Sequence, residues 1–303
     1  MEEKTIATQG SATRIVIVIP ALNESKAVGK LLDSIKEVMQ SYEHKILVVD
    51  GHSTDGTDVI AKNRGAEVIY QKGKGYGNAL KTGFLYAKKQ LNGKILVMMD
   101  ADLTYDPNDI PKLITPILEN KADMIVGNRF AGMKKGAMSL VNRVGNRLLS
   151  LFAKLAFGLN VYDSQSGMRA FKSDLLDRMK LVAVGMPFAM EMLAEAIAAD
   201  AKVSEAPISY SARVGETKLS PIKDGGRIIG VTVRLMFDIR PLLFFGAIGT
   251  VLGVIGLILH YLMLPIEFTH IMFPFLIMIG GILLTGVGFV IFLITKFRGY
   301  KQT

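Results

Sequence analysis

The chain has 303 residues, half of them hydrophobic, a formal net charge of +9, and neither cysteine nor tryptophan. The missing cysteines exclude disulfides, thiolate nucleophiles and thiolate metal sites, while the length suits one sizeable globular domain plus something smaller. A mean hydropathy of +0.33 is too high for an ordinary soluble enzyme, and the excess lies towards the C-terminal end.

The first 13 residues, MEEKTIATQGSAT, are polar and read as a flexible tail rather than a signal peptide. From Arg14 to about Val126, short apolar runs alternate with helical stretches. The runs are RIVIVIP, KILVVD, AEVIY, KILVMMD and ADMIVG, and they predict the strands of a mostly parallel sheet in an α/β domain. Their apolarity is continuous, as expected of strands covered on both faces. Ligands of such sheets gather at the carboxyl ends of the strands. Three runs end in suitable groups there: Pro20 to Glu24, Asp50 to Asp55, and Asp100 to Asp102.

Asp100 and Asp102 close an apolar run, where charge is costly unless something compensates it. Turned outward, the two carboxylates would bind Mg²⁺ or Mn²⁺ shared with a diphosphate. Capping of the following helix is the plainer alternative. Asn23, Glu24 and Asp50 would share that edge and hydrogen-bond a nucleobase or ribose hydroxyls. Helix capping by Asn23, Ser53 or Thr54 is the competing account. The stretch QKGKGYGNALKTGF spaces Gly73, Gly75 and Gly77 as GxGxG, which is not the dinucleotide fingerprint GxGxxG. It offers either an anion contact near Lys72, Lys74 and Lys81 or a plain flexible turn. His52 has no sequence partner that would make it a base, so a loop role is expected. His44, His260 and His270 form no metal-ligand spacing.

Between Met124 and Tyr162 there is no acidic residue, whereas Arg129, Lys134, Lys135, Arg143, Arg147 and Lys154 fall there. A helix over about 138–158 sets Val141, Val144, Leu148, Leu151, Phe152 and Leu155 on one face, and Arg143, Arg147 and Lys154 on another. That pattern suits a helix lying at the headgroup level of a bilayer, with a surface helix packed on its own domain as the plainer alternative. SDLLDRMKLV and PFAMEMLAEAIAAD read as helices and KVSEAPISYSAR as a short strand. VGETKLSPIKDGGRIIG, residues 214–230, reads as a loop along the interface and leads into the juxtamembrane segment 216–240.

Residues 241–263 and 272–295 contain no Asp, Glu, Lys or Arg up to Thr295, and each exceeds the roughly 20 helical residues that cross a ~30 Å bilayer core. Arg227, Arg234 and Arg240 precede the first span, Lys296, Arg298 and Lys301 follow the second, and the link LPIEFTH has neither Lys nor Arg. The positive-inside rule then predicts a hairpin with both ends, and the N-terminal domain, cytoplasmic. Gly249 and Gly253 form a small-xxx-small pair, suited to close helix approach within the hairpin or in a homo-oligomer.

Taken in order, IPALNE, VVDGHSTDGT, DADLT, VGNRF, DSQSGMRAF and ARVGETKL, followed by two apolar spans, resemble family 2 glycosyltransferases of the polyprenyl-phosphate sugar synthase group. Dolichol-phosphate mannose synthases and bactoprenol glucosyltransferases belong to that group. The resemblance runs from about Arg14 to the C-terminus and implies a GT-A, Rossmann-like nucleotide-sugar domain over 14–215. It implies transfer of one hexose, with inversion, from GDP-mannose or a UDP-hexose to a polyprenyl or dolichyl phosphate. Carried over by position, Pro20, Asn23, Glu24 and Asp50 would contact the nucleoside, and Asp100 and Asp102 the metal and diphosphate. Arg129, Arg143, Arg213 and Lys218 would hold the acceptor phosphate or the leaving group. Asp100, Asp102, Arg129 and Arg213 form the expected catalytic set. Ser166, Gly167 and Arg169 match the group's SGFR stretch, with Met168 replacing the aromatic. Thr104 stands where many mannose synthases have a metal-reaching glutamine, and DGHS replaces the commoner DDGS, which leaves sugar and nucleotide open.

Three other readings compete. A processive polysaccharide synthase would carry Gln-x-x-Arg-Trp, but the chain has no tryptophan, and two spans are too few for a polymer channel. A membrane-tethered nucleotide-sugar binder without turnover would not need the aspartates and arginines intact. A nucleic-acid binder would interleave aromatics with its basic stripe, which instead adjoins membrane spans.

Overall fold

The computed structural model describes residues 14–158, 160–214, 221–263 and 268–299; the expected N-terminal tail and Lys218 lie outside them. The chain divides into two compact units: the residues up to Ala153 with Asn160–Ile229, and Lys154–Leu159 with the residues from Gly230 on.

The first unit is built on seven strands: β1 (Ile15–Ala21), β2 (His44–Asp50), β3 (Glu67–Tyr70), β4 (Ile95–Met98), β5 (Met124–Met133), β6 (Arg169–Lys172) and β7 (Val203–Tyr210). They form one sheet in the order β3-β2-β1-β4-β6-β5-β7. The first four pair in parallel, as do β5 and β7, whereas β6 runs antiparallel to both β4 and β5. The expectation of a mostly parallel sheet is met, since four of the six described pairings are parallel, and the one reversed strand, β6, makes the sheet mixed. β6 is four residues long, too short for its period to announce a strand.

Helices cover both faces. On α1 (Ser25–Val38), Val28, Leu31, Leu32 and Ile35 recur at helical spacing and are buried, joining Ile15, Ile17 and Ile19 of β1 in one core. Each such side chain contributes about 1.5–3 kcal/mol by leaving water. α2 (Thr57–Asn63), α3 (Tyr76–Lys89), α4 (Ile110–Leu118) and α6 (Phe188–Ala198) complete the layers. SDLLDRMKLV forms only a 3₁₀ turn over Ser173–Asp177, not the expected longer helix.

α5 (Leu140–Phe157) matches the expected amphipathic helix. Leu140, Val141, Val144, Leu148, Leu151 and Leu155 are exposed on it, whereas Ser150, Ala153, Ala156 and Phe157 are buried. Phe152, assigned to the apolar face, is half-buried. The expected interface loop is instead a helix from residue 221 on: α7 (Pro221–Ile239). Proline suits a first helical position, and Ile228, Thr232, Leu235 and Met236 are buried at helical spacing. Gly225, Gly226 and Gly230 each cost about 1 kcal/mol there and masked the pattern.

In the second unit, α8 (Pro241–Met263) and α9 (Phe268–Gly299) contain apolar stretches, Pro241–Leu262 and Met272–Ile294, long enough to cross a membrane. Only 11% of each stretch is buried, unlike the core helices of a soluble domain. Gly249 is one of the points where the two helices press together: a Cβ there would lie 2.4 Å from the Gly281 carbonyl oxygen and 2.3 Å from Thr285 Oγ1. A Cβ on Gly253 would meet nothing within 4 Å, so the two members of the glycine pair are not equivalent.

Candidate functional site

The parallel half of the sheet brings the ends of β2, β1 and β4 side by side, with Ala21 opposite Asp50 and Val18 opposite Met98. The chain leaves these ends through non-glycine residues in the left-handed region: Asn23 (φ 52°), His52 (φ 65°) and Leu103 (φ 62°). Such conformations are uncommon outside glycine and turn the following side chains sharply. Pro20, the last residue but one of β1, lies opposite Val49.

Asn23 is committed to the loop after β2: its backbone N–H donates to Ser53 Oγ (2.9 Å), and its Oδ1 accepts from the Thr54 N–H (2.9 Å). Asp50 is fully buried. Its Oδ1 accepts from the Ser53 N–H at 2.7 Å, while Oδ2 is buried with no hydrogen-bond partner among the described residues. A buried acceptor left open in this way matches a ligand N–H. Asp55 accepts from the Ser25 N–H (3.0 Å) at the start of α1 and from the Thr57 N–H (3.1 Å) at the start of α2. Burial pushes its carboxyl up, but the Thr57 and Ser25 hydrogen bonds outweigh that and hold it at about 2.

Asp100 lies where β4 has ended, and its Oδ1 accepts from the Tyr76 O–H at 2.9 Å. Burial and the neighbouring Asp102 carboxylate push Asp100 up to about 7, against the pull of Tyr76. Asp102 Oδ1 accepts from Thr104 Oγ1 (2.6 Å) and the Thr104 N–H (3.1 Å). Thr104 therefore steadies the aspartate. The segment after β7 runs back along residues 102–105: the Ser211 N–H donates to the Thr104 carbonyl and the Val214 N–H to the Asp102 carbonyl. This pairing lays Arg213 over the acids, with Nη1 3.2 Å from Asp102 Oδ2 and Nη2 bonded to Glu24 Oε1.

Other expected residues are placed differently. Arg129, expected to face a phosphate, is buried and closed by Asp163: Nε and Nη2 each reach a carboxylate oxygen at 2.7 Å. Burial alone would lower its pKa, but the Asp163 charge holds it well above the ordinary value. Arg169 is fully buried and donates to the carbonyls of Ser164, Ser166 and Ala189, with burial pulling it down to about 10. Ser166 is buried and bonds within its own turn to Met168. Gly167 lies against Asp100, since a Cβ there would be 2.6 Å from Oδ2. Arg143 is exposed on α5, with no contact to the aspartates among the described residues.

The Gly-rich stretch is neither a flexible turn nor an anion cradle. Gly77 and Asn78 donate their N–H groups to the Val184 carbonyl, and a Cβ on Gly75 or Gly77 would strike the Val184 or Ala183 oxygen at 2.4 or 2.5 Å. His52 is exposed and stacks on Tyr70, ring centroids 5.5 Å apart. Sequence reasoning missed Tyr76 and Asp163, which sit inside quoted motifs but carry no distinguishing spacing.

Residues 16–179 match the model of glycosyl transferase family 2. The chain belongs to that family. This glycosyltransferase is 38% identical over 292 residues to the low-salt glycan biosynthesis hexosyltransferase Agl6 of Haloferax volcanii, covering 94% of this chain and 68% of the relative. A dolichyl-phosphate hexose transferase of the same organism is 32% identical (75% and 95% covered). An undecaprenyl-phosphate mannosyltransferase of Micrococcus luteus is 30% identical (72% and 93% covered). Among solved structures, glucosyl-3-phosphoglycerate synthase from Mycobacterium tuberculosis, in complex with Mn²⁺, UDP and glucosyl-3-phosphoglycerate, superposes with a TM-score of 0.61 at 22% identity (74% and 80% covered). The fold of this family 2 glycosyltransferase is therefore GT-A, a mixed α/β sheet, as expected.

A divalent cation fits the donor set of the glycosyltransferase. Burial, and after it the neighbouring Asp102 charge, push Asp100 up, and both aspartates offer the hard oxygens that Mg²⁺ and Mn²⁺ prefer. Among the described residues no group of three acids or histidines surrounds a point, so phosphate oxygens and water would complete the shell.

Proposed function

We propose that this glycosyltransferase is a metal-dependent, inverting hexosyltransferase that moves one hexose from a nucleotide sugar to a polyprenyl or dolichyl phosphate at the cytoplasmic face of a membrane. The carrying observation is the gathering of Asp50 at the end of β2 and of Asp100 and Asp102 after β4, on either side of β1, with Arg213 laid over Asp102. The names of the relatives from Haloferax volcanii and Micrococcus luteus, which specify dolichyl and undecaprenyl phosphate, support the acceptor class.

In this reading the open Oδ2 of Asp50 takes an N–H of the base, with Pro20, Asn23 and Glu24 shaping the nucleoside pocket. Asp100 and Asp102 would hold an Mg²⁺ or Mn²⁺ ion, which would offset the diphosphate charge and make the nucleotide a better leaving group. Arg213 presents its planar fork to phosphate oxygens; exposed Arg143 and, outside the described residues, Lys218 are further acceptor-side candidates. Arg129, closed by Asp163, braces the wall. A lipid phosphate has a second pKa of ~6 and is largely dianionic at pH 7, so it attacks without a general base. Its oxygen forms a bond to the anomeric carbon as the bond to the diphosphate breaks on the opposite side. Orientation supplies most of what remains.

The exposed apolar stripe of α5 and its basic flank suit the headgroup region, and the Lys/Arg distribution supports a cytoplasmic side for both termini and the catalytic domain. Gly246 and Gly253, one heptad apart, meet nothing within 4 Å and offer a face to a second copy in the membrane.

The test is a transfer assay: purified protein in detergent, Mn²⁺ or Mg²⁺, a polyprenyl phosphate and a panel of labelled GDP- and UDP-sugars, with label counted in the organic phase. Metal-dependent label that vanishes in Asp102→Ala supports the reading. Nucleotide-sugar binding without label from any donor would overturn it in favour of a non-catalytic binder.

A further inference from the structure

The Gly-rich stretch and the SGMR stretch converge on one carboxylate, Asp100. On one side, the Tyr76 O–H donates to Oδ1 at 2.9 Å. On the other, the bare Cα of Gly167 lies so close to Oδ2 that a Cβ would be 2.6 Å away. Neither neighbour is itself loosely held. Tyr76 is the first residue of α3, whose opening turn is fixed by the Val184 carbonyl accepting from the Gly77 N–H at 3.0 Å and the Asn78 N–H at 3.4 Å. That carbonyl is secured in turn, because the Ala183 N–H donates to both carboxylate oxygens of Glu191 on α6. The Gly167 N–H donates to the Tyr105 hydroxyl at 2.7 Å.

We infer that Tyr76 is a positioning residue for the divalent-cation site: its phenol occupies Oδ1 of Asp100 and, with Gly167 closing the opposite side, holds the carboxylate in the single orientation that leaves Oδ2 for the cation. This rests on the proposed metal role of Asp100. Among the described residues no donor reaches Oδ2, whereas Oδ1 has the phenol. A carboxylate free to rotate would present either oxygen, and fixing it removes that freedom before the cation arrives. Hydrogen-bond partners of metal ligands commonly change metal affinity about 10–100-fold when removed. The Gly-rich turn then serves to deliver a phenol to a metal ligand, with Gly75 and Gly77 bare so that the Ala183–Val184 backbone can press on the turn.

The experiment is Mn²⁺ titration of the full-length protein in detergent, read by the loss of the free-ion electron paramagnetic resonance signal, with UDP or GDP present. Tyr76→Phe removes one hydroxyl and is expected to bind Mn²⁺ about 10-fold more weakly, with nucleotide binding in the absence of metal unchanged. Gly167→Ala, which pushes on Oδ2 and spares the phenol, is expected to weaken Mn²⁺ binding as well. In an Asp100→Asn background, Tyr76→Phe should change Mn²⁺ binding no further, because its effect passes through that carboxylate. Equal Mn²⁺ affinity in Tyr76→Phe and the unaltered chain, with or without a lower melting temperature, would overturn the inference and leave Tyr76 a structural hydroxyl. If the unaltered chain binds no Mn²⁺ with either nucleotide, the metal-dependent function fails instead.

Discussion

Arg213 lies against Asp102, Nη1 3.2 Å from Oδ2. The guanidinium thus stands where a cation bound to the same aspartate would compete with it. Arg213→Ala removes that competitor and a candidate phosphate contact together. The expected outcome is Mn²⁺ binding at least as tight as in the unaltered chain, with transfer about 100-fold slower, the scale on which a lost electrostatic contact to developing charge is felt. Mn²⁺ titration beside the lipid transfer assay checks both halves; unchanged turnover removes Arg213 from the site.

Asp163 faces Arg129 in a pair that is buried on both sides. Removing the carboxylate charge leaves the arginine unpaired in a dry environment, which costs about 3–5 kcal/mol. Asp163→Asn should therefore lower the melting temperature of the catalytic domain by about 10 °C. Thermal unfolding followed by intrinsic fluorescence or circular dichroism reads it directly.

Asp55 gives the acid limb of stability a specific component. Its carboxyl is held at about 2 by the N–H groups of Ser25 and Thr57 and the Thr57 hydroxyl, below its ordinary value of 3.8. A depressed carboxyl stabilises the fold above its unfolded value and loses that contribution as pH falls through the folded one. Denaturant midpoints of Asp55→Asn should be lower than those of the unaltered chain at pH 6 and converge with them between about pH 4 and pH 2.

The stripe on α5 predicts a defect that depends on the lipid phase. Leu148 and Leu151 are exposed, and each would gain about 1.5–3 kcal/mol by leaving water. Changing both to aspartate should raise the KM for polyprenyl phosphate in liposomes about 10-fold or more, while donor binding and melting temperature stay as they are. Equal KM values in liposomes would detach α5 from the membrane surface.

In the hairpin, Gly249→Leu must drive the helices apart at Gly281, at a cost of about 1–3 kcal/mol. Gly246→Leu meets nothing within 4 Å and should be silent. Because the chain has no cysteine of its own, engineered cysteine pairs across α8 and α9 can report the difference by cross-linking yield.

The parallel strands and both spans were legible because long apolar runs carry their own signal. The same runs fixed where Asp50, Asp100 and Asp102 would gather. β6 was not legible, since a four-residue strand in reverse direction depends on partners far away in sequence. α7 was obscured by three glycines whose helical penalty is offset by burial of Ile228, Leu235 and Met236. In the site, charge type was readable but pairing was not. Nothing in VGNRF says that Arg129 will be spent on Asp163, and nothing in GKGYG says that its tyrosine will find Asp100.

Asn23, His52 and Leu103 hold left-handed conformations that cost non-glycine residues about 1–3 kcal/mol each. Asn92, Asn120 and Asp200 share the conformation, but they follow α3, α4 and α6 and carry none of the site's side chains. An engineer seeking a hardier enzyme therefore faces two kinds of position with one backbone geometry. Glycine at the helix ends relaxes the chain at no expense to turnover. At the strand ends the same change slackens the loops that aim the acids, so heat tolerance and speed are traded against each other there.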